Sequence, residues 1–144
     1  YSYSSSISIV DCTISGNDSY GVYFNANDSV SITGCEISRN GSYGVYCLYD
    51  DSVSITSCTI SGNNSFGIYC YDSSTSITKC TISGNSGRGV YCDGYSSPLI
   101  RNCVVSGNND GGVYCYNNSS PLIVNCTISG NTTEGSVNHY GGGI

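Results

Sequence analysis

The sequence predicts an all-β fold: a parallel β-solenoid of about six coils of ~23 residues, each built from three short strands. Three observations predict it. Cys12, Cys35, Cys58, Cys80, Cys103 and Cys126 follow one another at intervals of 23, 23, 22, 23 and 23 residues. A second series, Cys47, Cys70, Cys92 and Cys115, trails its partner by 12 residues each time, with Phe24 in the first slot. Finally, the composition favours strands. Ser, Gly, Asn and Thr dominate, Ala occurs once and Leu three times, so strong helix formers are nearly missing. Self-similarity at a fixed period of this length is the mark of a repeat architecture.

Within a coil, the apolar positions come in pairs two residues apart, the period of a strand with one face inward. The first strand carries Ile9, Ile32, Ile55, Ile77, Ile100 and Ile123, three residues before the leading Cys. The second carries Ile14, Ile37, Ile60, Ile82, Val105 and Ile128, two residues after it. The third carries Val or Ile ten residues after it and Cys or Phe twelve after, as in Ile68 and Cys70. Between pairs the parity slips, which requires a bend. The phrase "TISGN" marks one bend, because Gly and Asn adopt positive φ at little cost. Asn17, Asn40, Asn63, Asn85, Asn108 and Asn131 recur there without a gap. Coils stacked about 4.8 Å apart would let each amide hydrogen-bond the next and satisfy backbone groups at the bend.

A leucine-rich repeat has a compatible period and also uses Asn, but this chain lacks the Leu to build one and has nothing for a helical outer side. The domain is read as residues 1–144, a single solenoid without caps. A small loop insertion at about 132–140 lengthens the last coil. Joining the final "GGGI" to the opening "YSYSSSISIVDC" reproduces the phrase around "GGVYCYNNSSPLIVNC" with one residue fewer, so the chain reads as whole turns.

The stretches "SITKCTISGN" and "PLIVNCTISGN", each followed by a "GGVYC"-like phrase, resemble the coils of right-handed parallel β-helix repeat proteins, the scaffold of the pectate-lyase-like superfamily and of many surface proteins. The resemblance covers essentially the whole chain. It implies right-handed winding and an inner asparagine ladder, and it implies no activity, because the motif is scaffold.

Charge narrows the partners. The net charge is -6, with only Arg39, Lys79, Arg88 and Arg101 as fixed cations, which argues against nucleic acid and anionic membranes. No apolar run approaches the ~20 residues of a membrane span. Asn-x-Ser/Thr sequons at Asn17, Asn27, Asn40, Asn63, Asn117, Asn118 and Asn131 are candidate glycosylation sites, and an extracellular or cell-surface location is expected.

The cysteines lack CxxC spacing, so zinc or redox motifs are not indicated. Two readings stay open: buried thiols forming two ladders, or disulfides, given an even number and expected export. In-register parallel stacking gives the second a poor torsion. Asp28 and Asp51 share one column counted back from the leading Cys, and Asp50 and Asp72 the next. Such carboxylates either sit solvated in turns or hold Ca2+, the one cofactor to which the sequence points; otherwise none is expected. No catalytic residues are assigned. Carboxylates at glycosidase spacing cannot be assembled on one face, since Glu36 is the one acidic residue in the slot after the leading Cys. His139 stands alone. A non-enzyme is expected.

Tyrosines dominate the exterior. Tyr23, Tyr46, Tyr69, Tyr91 and Tyr114 form an outward column; Tyr20, Tyr43 and Phe66 form a second; Tyr49, Tyr71 and Tyr116 are read as a third. They serve either as ladder stacking or as a surface for glycans or neighbouring filaments. The function expected is a structural subunit or segment of an extracellular filament. Its principal partner is another copy of itself, stacked head to tail. The alternative is a carbohydrate-binding or adhesin module using the Tyr columns.

Overall fold

The computed structural model describes residues 6–25, 29–49, 52–133 and 142–144. Its strands gather into three parallel sheets, each strand paired with its counterpart one coil away. Sheet A contains Ser6–Val10, Ser29–Thr33, Val53–Thr56, Ser76–Thr78, Leu99–Arg101 and Leu122–Val124. Sheet B contains Thr13–Ser15, Glu36–Ser38, Thr59–Ser61, Thr81–Ser83, Val104–Ser106 and Thr127–Ser129. Sheet C contains Val22–Asn25, Val45–Leu48, Ile68–Tyr71, Val90–Asp93 and Val113–Cys115. The described residues therefore make five full coils and two strands of a sixth, slightly fewer than the sequence suggested.

Register places like on like. Ile32 pairs with Ile55, Ile77 with Ile100, and Ile82 with Val105. In sheet C, Tyr46 pairs with Tyr69 and Cys47 with Cys70. Alternation inside each strand sends these Ile, Val and Cys side chains into one core. Ile32, Ile55, Ile60, Ile77, Ile82 and Ile100 are all fully buried. Each contributes about 1.5–3 kcal/mol of burial. At the outer coils, Ile9, Ile14, Ile123 and Ile128 are only partly covered.

The bends rest on left-handed backbone at three points of the coil. The corner after "TIS" holds Gly16, Gly62, Gly84, Gly107 and Gly130, all with φ between 62° and 69°. Arg39 occupies the same corner with φ 54°, standing where the other coils have Gly. A second left-handed column precedes the leading Cys: Asp11, Gly34, Ser57, Lys79, Asn102 and Asn125. The third follows sheet C at Tyr49, Asp72, Gly94 and Asn117. Of the expected insertion, Thr132 and Thr133 are described: Thr132 donates its N–H to Asn108 O, and Thr133 forms an antiparallel bridge with Asp110. The rest of that loop, with His139, lies outside the described residues.

Candidate functional site

The "TISGN" bend builds the first recurring arrangement. Asn17, Asn40, Asn63, Asn85 and Asn108 each donate a side-chain N–H to the Oδ1 of the next Asn at 2.8 or 2.9 Å. The same oxygen accepts the backbone N–H of the preceding Asn at 3.0–3.2 Å. From Asn40 onward the amide also donates back to a carbonyl of the previous coil, as from Asn63 to Ile37 O at 3.3 Å. The ladder is polar. Each amide from Asn17 to Asn108 points one N–H toward the C-terminal coil, so the ladder begins at Asn17 and ends at Asn131, whose amide donates back to Val105 O.

This ladder corrects part of the glycosylation reading. Asn40 and Asn63 are fully buried, and their amides are consumed by neighbouring coils, so neither can accept a glycan in the folded chain. Asn17 is exposed and Asn131 half-buried, and both amides donate within the ladder or to a main-chain carbonyl. Asn117 is exposed and donates to Asp93 Oδ1 at 2.8 Å. Asn118 is exposed, and Asn27 lies outside the described residues. A further sequon, Asn125-Cys126-Thr127, went unread in the sequence; Asn125 is exposed at its left-handed corner.

All ten cysteines are free thiols. In the first ladder, Cys35, Cys58, Cys80 and Cys103 are buried, and each Sγ donates to the carbonyl two residues earlier at 3.2–3.4 Å. Burial pushes the Cys35 thiol up. Hydrogen bonds to Cys103 and Cys58, then burial, push Cys80 far above the usual thiol range. At the outermost described coils the ladder is less covered: Cys12 and Cys115 are exposed and Cys126 is half-covered, although Cys115 keeps register with Cys92 and Cys126 packs against the core. A hydrogen bond between Cys92 and Cys115 raises the buried Cys92 and lowers Cys115 to about 7.

The aromatic exterior stacks along the axis. Tyr46 and Tyr69 lie 4.9 Å apart at 3°, and Tyr69 and Tyr91 4.8 Å apart at 7°. Tyr23–Tyr46 and Tyr91–Tyr114 extend the column at 5.3 and 5.5 Å, with tilted rings. In the second column Tyr43 stacks on Phe66 at 5.0 Å and 2°. The next position is Arg88, whose guanidinium carbon sits 3.7 Å from the Tyr114 centroid and 4.7 Å from that of Tyr91. Its Nε pairs with Asp110 at 3.4 Å.

The third column is not a column. Tyr71 aligns with Leu48 and Asp93, whereas Tyr49 lies one residue further on, at the left-handed corner shared with Asp72. Tyr49 meets Tyr71 edge to face at 5.4 Å. Tyr49 and Asp72 also donate their N–H groups equivalently, to Tyr71 O and Asp93 O. Counting back from the Cys therefore misplaced Asp72, because the 22-residue coil drops its residue within this turn. Asp72 is exposed; Asp28, Asp50 and Asp51 lie outside the described residues. Among the described residues no group of three His, Cys, Asp or Glu side chains is placed to hold a metal.

Two further features escaped the sequence reading. Asp93, 8% exposed, interrupts the strand end where other coils carry Asn25, Leu48 or Tyr71. Its Oδ1 accepts Gly94 N–H at 2.7 Å and the Asn117 amide at 2.8 Å. Its Oδ2 accepts the Tyr69 hydroxyl at 3.2 Å and the Tyr91 hydroxyl at 3.5 Å. Burial, then the Asp93 charge, pushes the Tyr69 phenol far up, and the same causes bring Tyr91 to about 12. The second feature is a glycine column: Gly21, Gly44, Gly67, Gly89 and Gly112. A Cβ on any of them would lie 2.5–2.9 Å from the next coil's Gly carbonyl, Ile or Val methyl and Asn amide.

Compared with known families, residues 1–144 match the one described as right handed beta helix region. The chain is a right-handed β-helix protein. Comparisons with curated proteins and with solved structures returned no match. As in the sequence-based resemblance, this membership carries the winding and the stacked coils. No described helix of this right-handed β-helix is long and apolar enough to cross a membrane.

Proposed function

We propose that this right-handed β-helix is a structural subunit or segment of an extracellular, cell-surface filament, lengthened head to tail by stacking coil on coil. The polarity of the asparagine ladder is the observation that carries the reading. Asn17 presents an Oδ1 acceptor outward, and Asn131, one coil past Asn108, presents the donor face of the same repeat. A second copy stacked in register would add one more rung in the same direction. Among the described residues the sheets end in the same sense. Ser6–Val10 and Thr13–Ser15 border one end, and Leu122–Val124 and Thr127–Ser129 the other. Beneath them Ile9 and Ile14, and Ile123 and Ile128, are partly covered and would complete their burial on stacking. Open parallel edges of this kind template further strands, and a heterologous contact that repeats builds a fibre.

The test is assembly of the 144-residue chain. Unbranched fibres should form as concentration rises, visible by electron microscopy and as growing mass in sedimentation. Ile14→Asp, which sets a charge in the stacking face, should stop growth while leaving the far-UV spectrum of the monomer unchanged. Monomers that persist at high concentration would rule the reading out.

A carbohydrate-binding or adhesin role for Tyr23, Tyr46, Tyr69, Tyr91 and Tyr114 draws less support. Sugars pack on the faces of aromatic rings, and here the faces of Tyr46, Tyr69 and Tyr91 are taken up by one another.

A further inference from the structure

Aromatic stacking and a buried carboxylate meet at one place on the rod. Asp93 is more than nine-tenths buried, and none of its four hydrogen-bond donors is a cation. Its two oxygens divide their partners. Oδ1 is held by the amides of Gly94 and Asn117, which fixes the carboxylate. Oδ2 faces phenols only, Tyr69 at 3.2 Å and Tyr91 at 3.5 Å. Those two rings are themselves stacked at 4.8 Å and 7°, and Tyr69 stacks on Tyr46 at 4.9 Å and 3°. Simple scaffolding does not require this carboxylate: in the same ladder position Leu48 and Tyr71 serve.

A phenol that loses an electron becomes a very strong acid, so its oxidation is easiest where a base already holds its proton. Asp93 Oδ2 is such a base, fixed in place for two adjacent tyrosines. We propose that Tyr69 and Tyr91, with Asp93 as proton acceptor, form a site of one-electron oxidation whose hole is shared along the tyrosine column. The reacting partner is a high-potential one-electron oxidant. In the step, Tyr69 gives one electron to the oxidant and its phenolic proton to Asp93 Oδ2. The products are the reduced oxidant, a neutral tyrosyl radical and a protonated Asp93. Tyr46, stacked on Tyr69, and Tyr23, tilted 5.3 Å beyond it, continue the path toward the N-terminal coil. In the other direction Arg88 lies over Tyr114 and beside Tyr91, and its positive charge disfavours a hole there. The radical should therefore reside on Tyr69 and the rings before it. This inference concerns the single chain and does not depend on filament growth.

The test uses photogenerated ruthenium(III) tris(bipyridine) as oxidant, with freeze-quenching and electron paramagnetic resonance to count tyrosyl radical in the full chain. The native chain should yield a tyrosyl radical at early times. Asp93→Asn removes the base and should lower that early yield about tenfold, in keeping with the loss of a charged hydrogen-bond acceptor. Tyr69→Phe with Tyr91→Phe keeps both rings and the stack but removes the phenolic protons, and should lower the yield to the same level. This second variant leaves the core untouched, so it decides the matter even if Asp93→Asn misfolds. Unchanged yield in the double Phe variant, or in a folded Asp93→Asn, would overturn the proposal.

Discussion

Asn40 gives both its side-chain and its main-chain N–H to a single atom, Asn63 Oδ1, at 2.9 and 3.1 Å. Asn63 in turn donates to Asn85 Oδ1 at 2.9 Å and to Ile37 O at 3.3 Å. One buried side chain thus satisfies four groups, on the coil before it and the coil after it. Asn63→Ala removes four hydrogen bonds and leaves their partners buried, which should cost about 3–5 kcal/mol in denaturant unfolding. Asn63→Asp is more informative. Its carboxylate can accept from Asn40 but sets an oxygen against Asn85 Oδ1, and only the protonated acid can donate there. The folded pKa should therefore be raised above the unfolded value near 3.9. The sign follows: stability of this variant is greatest below about pH 4 and falls as pH rises through the folded pKa. A variant whose stability instead increased from pH 4 to 7 would contradict the directional ladder.

Gly67 belongs to the glycine column beside that ladder. A Cβ there would stand 2.7 Å from Gly89 O, 2.7 Å from Ile82 Cγ2 and 2.9 Å from Asn85 Nδ2. Two of those atoms are held by the sheet and one by the ladder, so the coil must open to admit a methyl. Gly67→Ala should destabilise by about 1–3 kcal/mol, the range for overpacking. Gly16→Ala provides the contrast. It has nothing within 4 Å, and its cost comes from φ 69° alone. Thermal unfolding of the two separates steric cost from backbone cost.

How far the sequence could be read depended on whether a position's meaning was periodic. Ile55 and Ile77 announced their inward columns because one requirement, burial at period two, acts on every coil alike. Arg39 was legible as a corner residue by its place among glycines, and its φ of 54° agrees. Asp93 was not legible: it breaks its column rather than continuing it, and its partners are hydroxyls of residues already assigned to another column. Tyr49 was misassigned because the missing residue of the 22-residue coil falls within the turn after sheet C. There, counting from the preceding and from the following Cys gives different answers. The glycine column went unread for another reason. A close approach between coils leaves no pattern of charge or hydropathy, only the repeated lack of a side chain. The double use of Asn40 and Asn63, as ladder and as sequon, could be resolved only by their burial.

Thiol accessibility should divide the cysteines sharply. Cys12 and Cys115 are exposed, and Cys115 has its pKa lowered to about 7, whereas the interior members of both ladders are buried. Brief treatment of the native chain with iodoacetamide near neutral pH should label Cys115 first and Cys12 next, with Cys126 slower. Cys35, Cys47, Cys58, Cys70, Cys80, Cys92 and Cys103 should react only after unfolding. In assembled material Cys12 and Cys126 should both become protected, because a stacked coil would cover them, while free chains keep them reactive. Peptide mapping by mass reads each site separately. Early labelling of Cys58 or Cys80 would show that the coils open far more readily than this packing allows.

Alkali should unfold the rod through its tyrosines. Burial raises the phenols of Tyr43 and Tyr46, and burial together with the Asp93 charge raises Tyr69 and brings Tyr91 to about 12. An unfolded tyrosine ionises near pH 10. Because the folded values lie above the unfolded one, the folded chain holds these protons more tightly. The stability they support is fully present below about pH 10 and is lost as pH rises through the folded values. Cys35, also raised by burial, acts in the same sense from the thiol range upward. Denaturant unfolding in reducing buffer should therefore give a steady midpoint up to about pH 9 and a progressive fall beyond it. Tyr69→Phe with Tyr91→Phe should flatten the fall above pH 10, since phenylalanine keeps the stack at 4.8 Å but has no proton to lose. An equally steep fall in the double variant would place the alkaline weakness in Tyr43 and Tyr46 or in the thiol ladders instead.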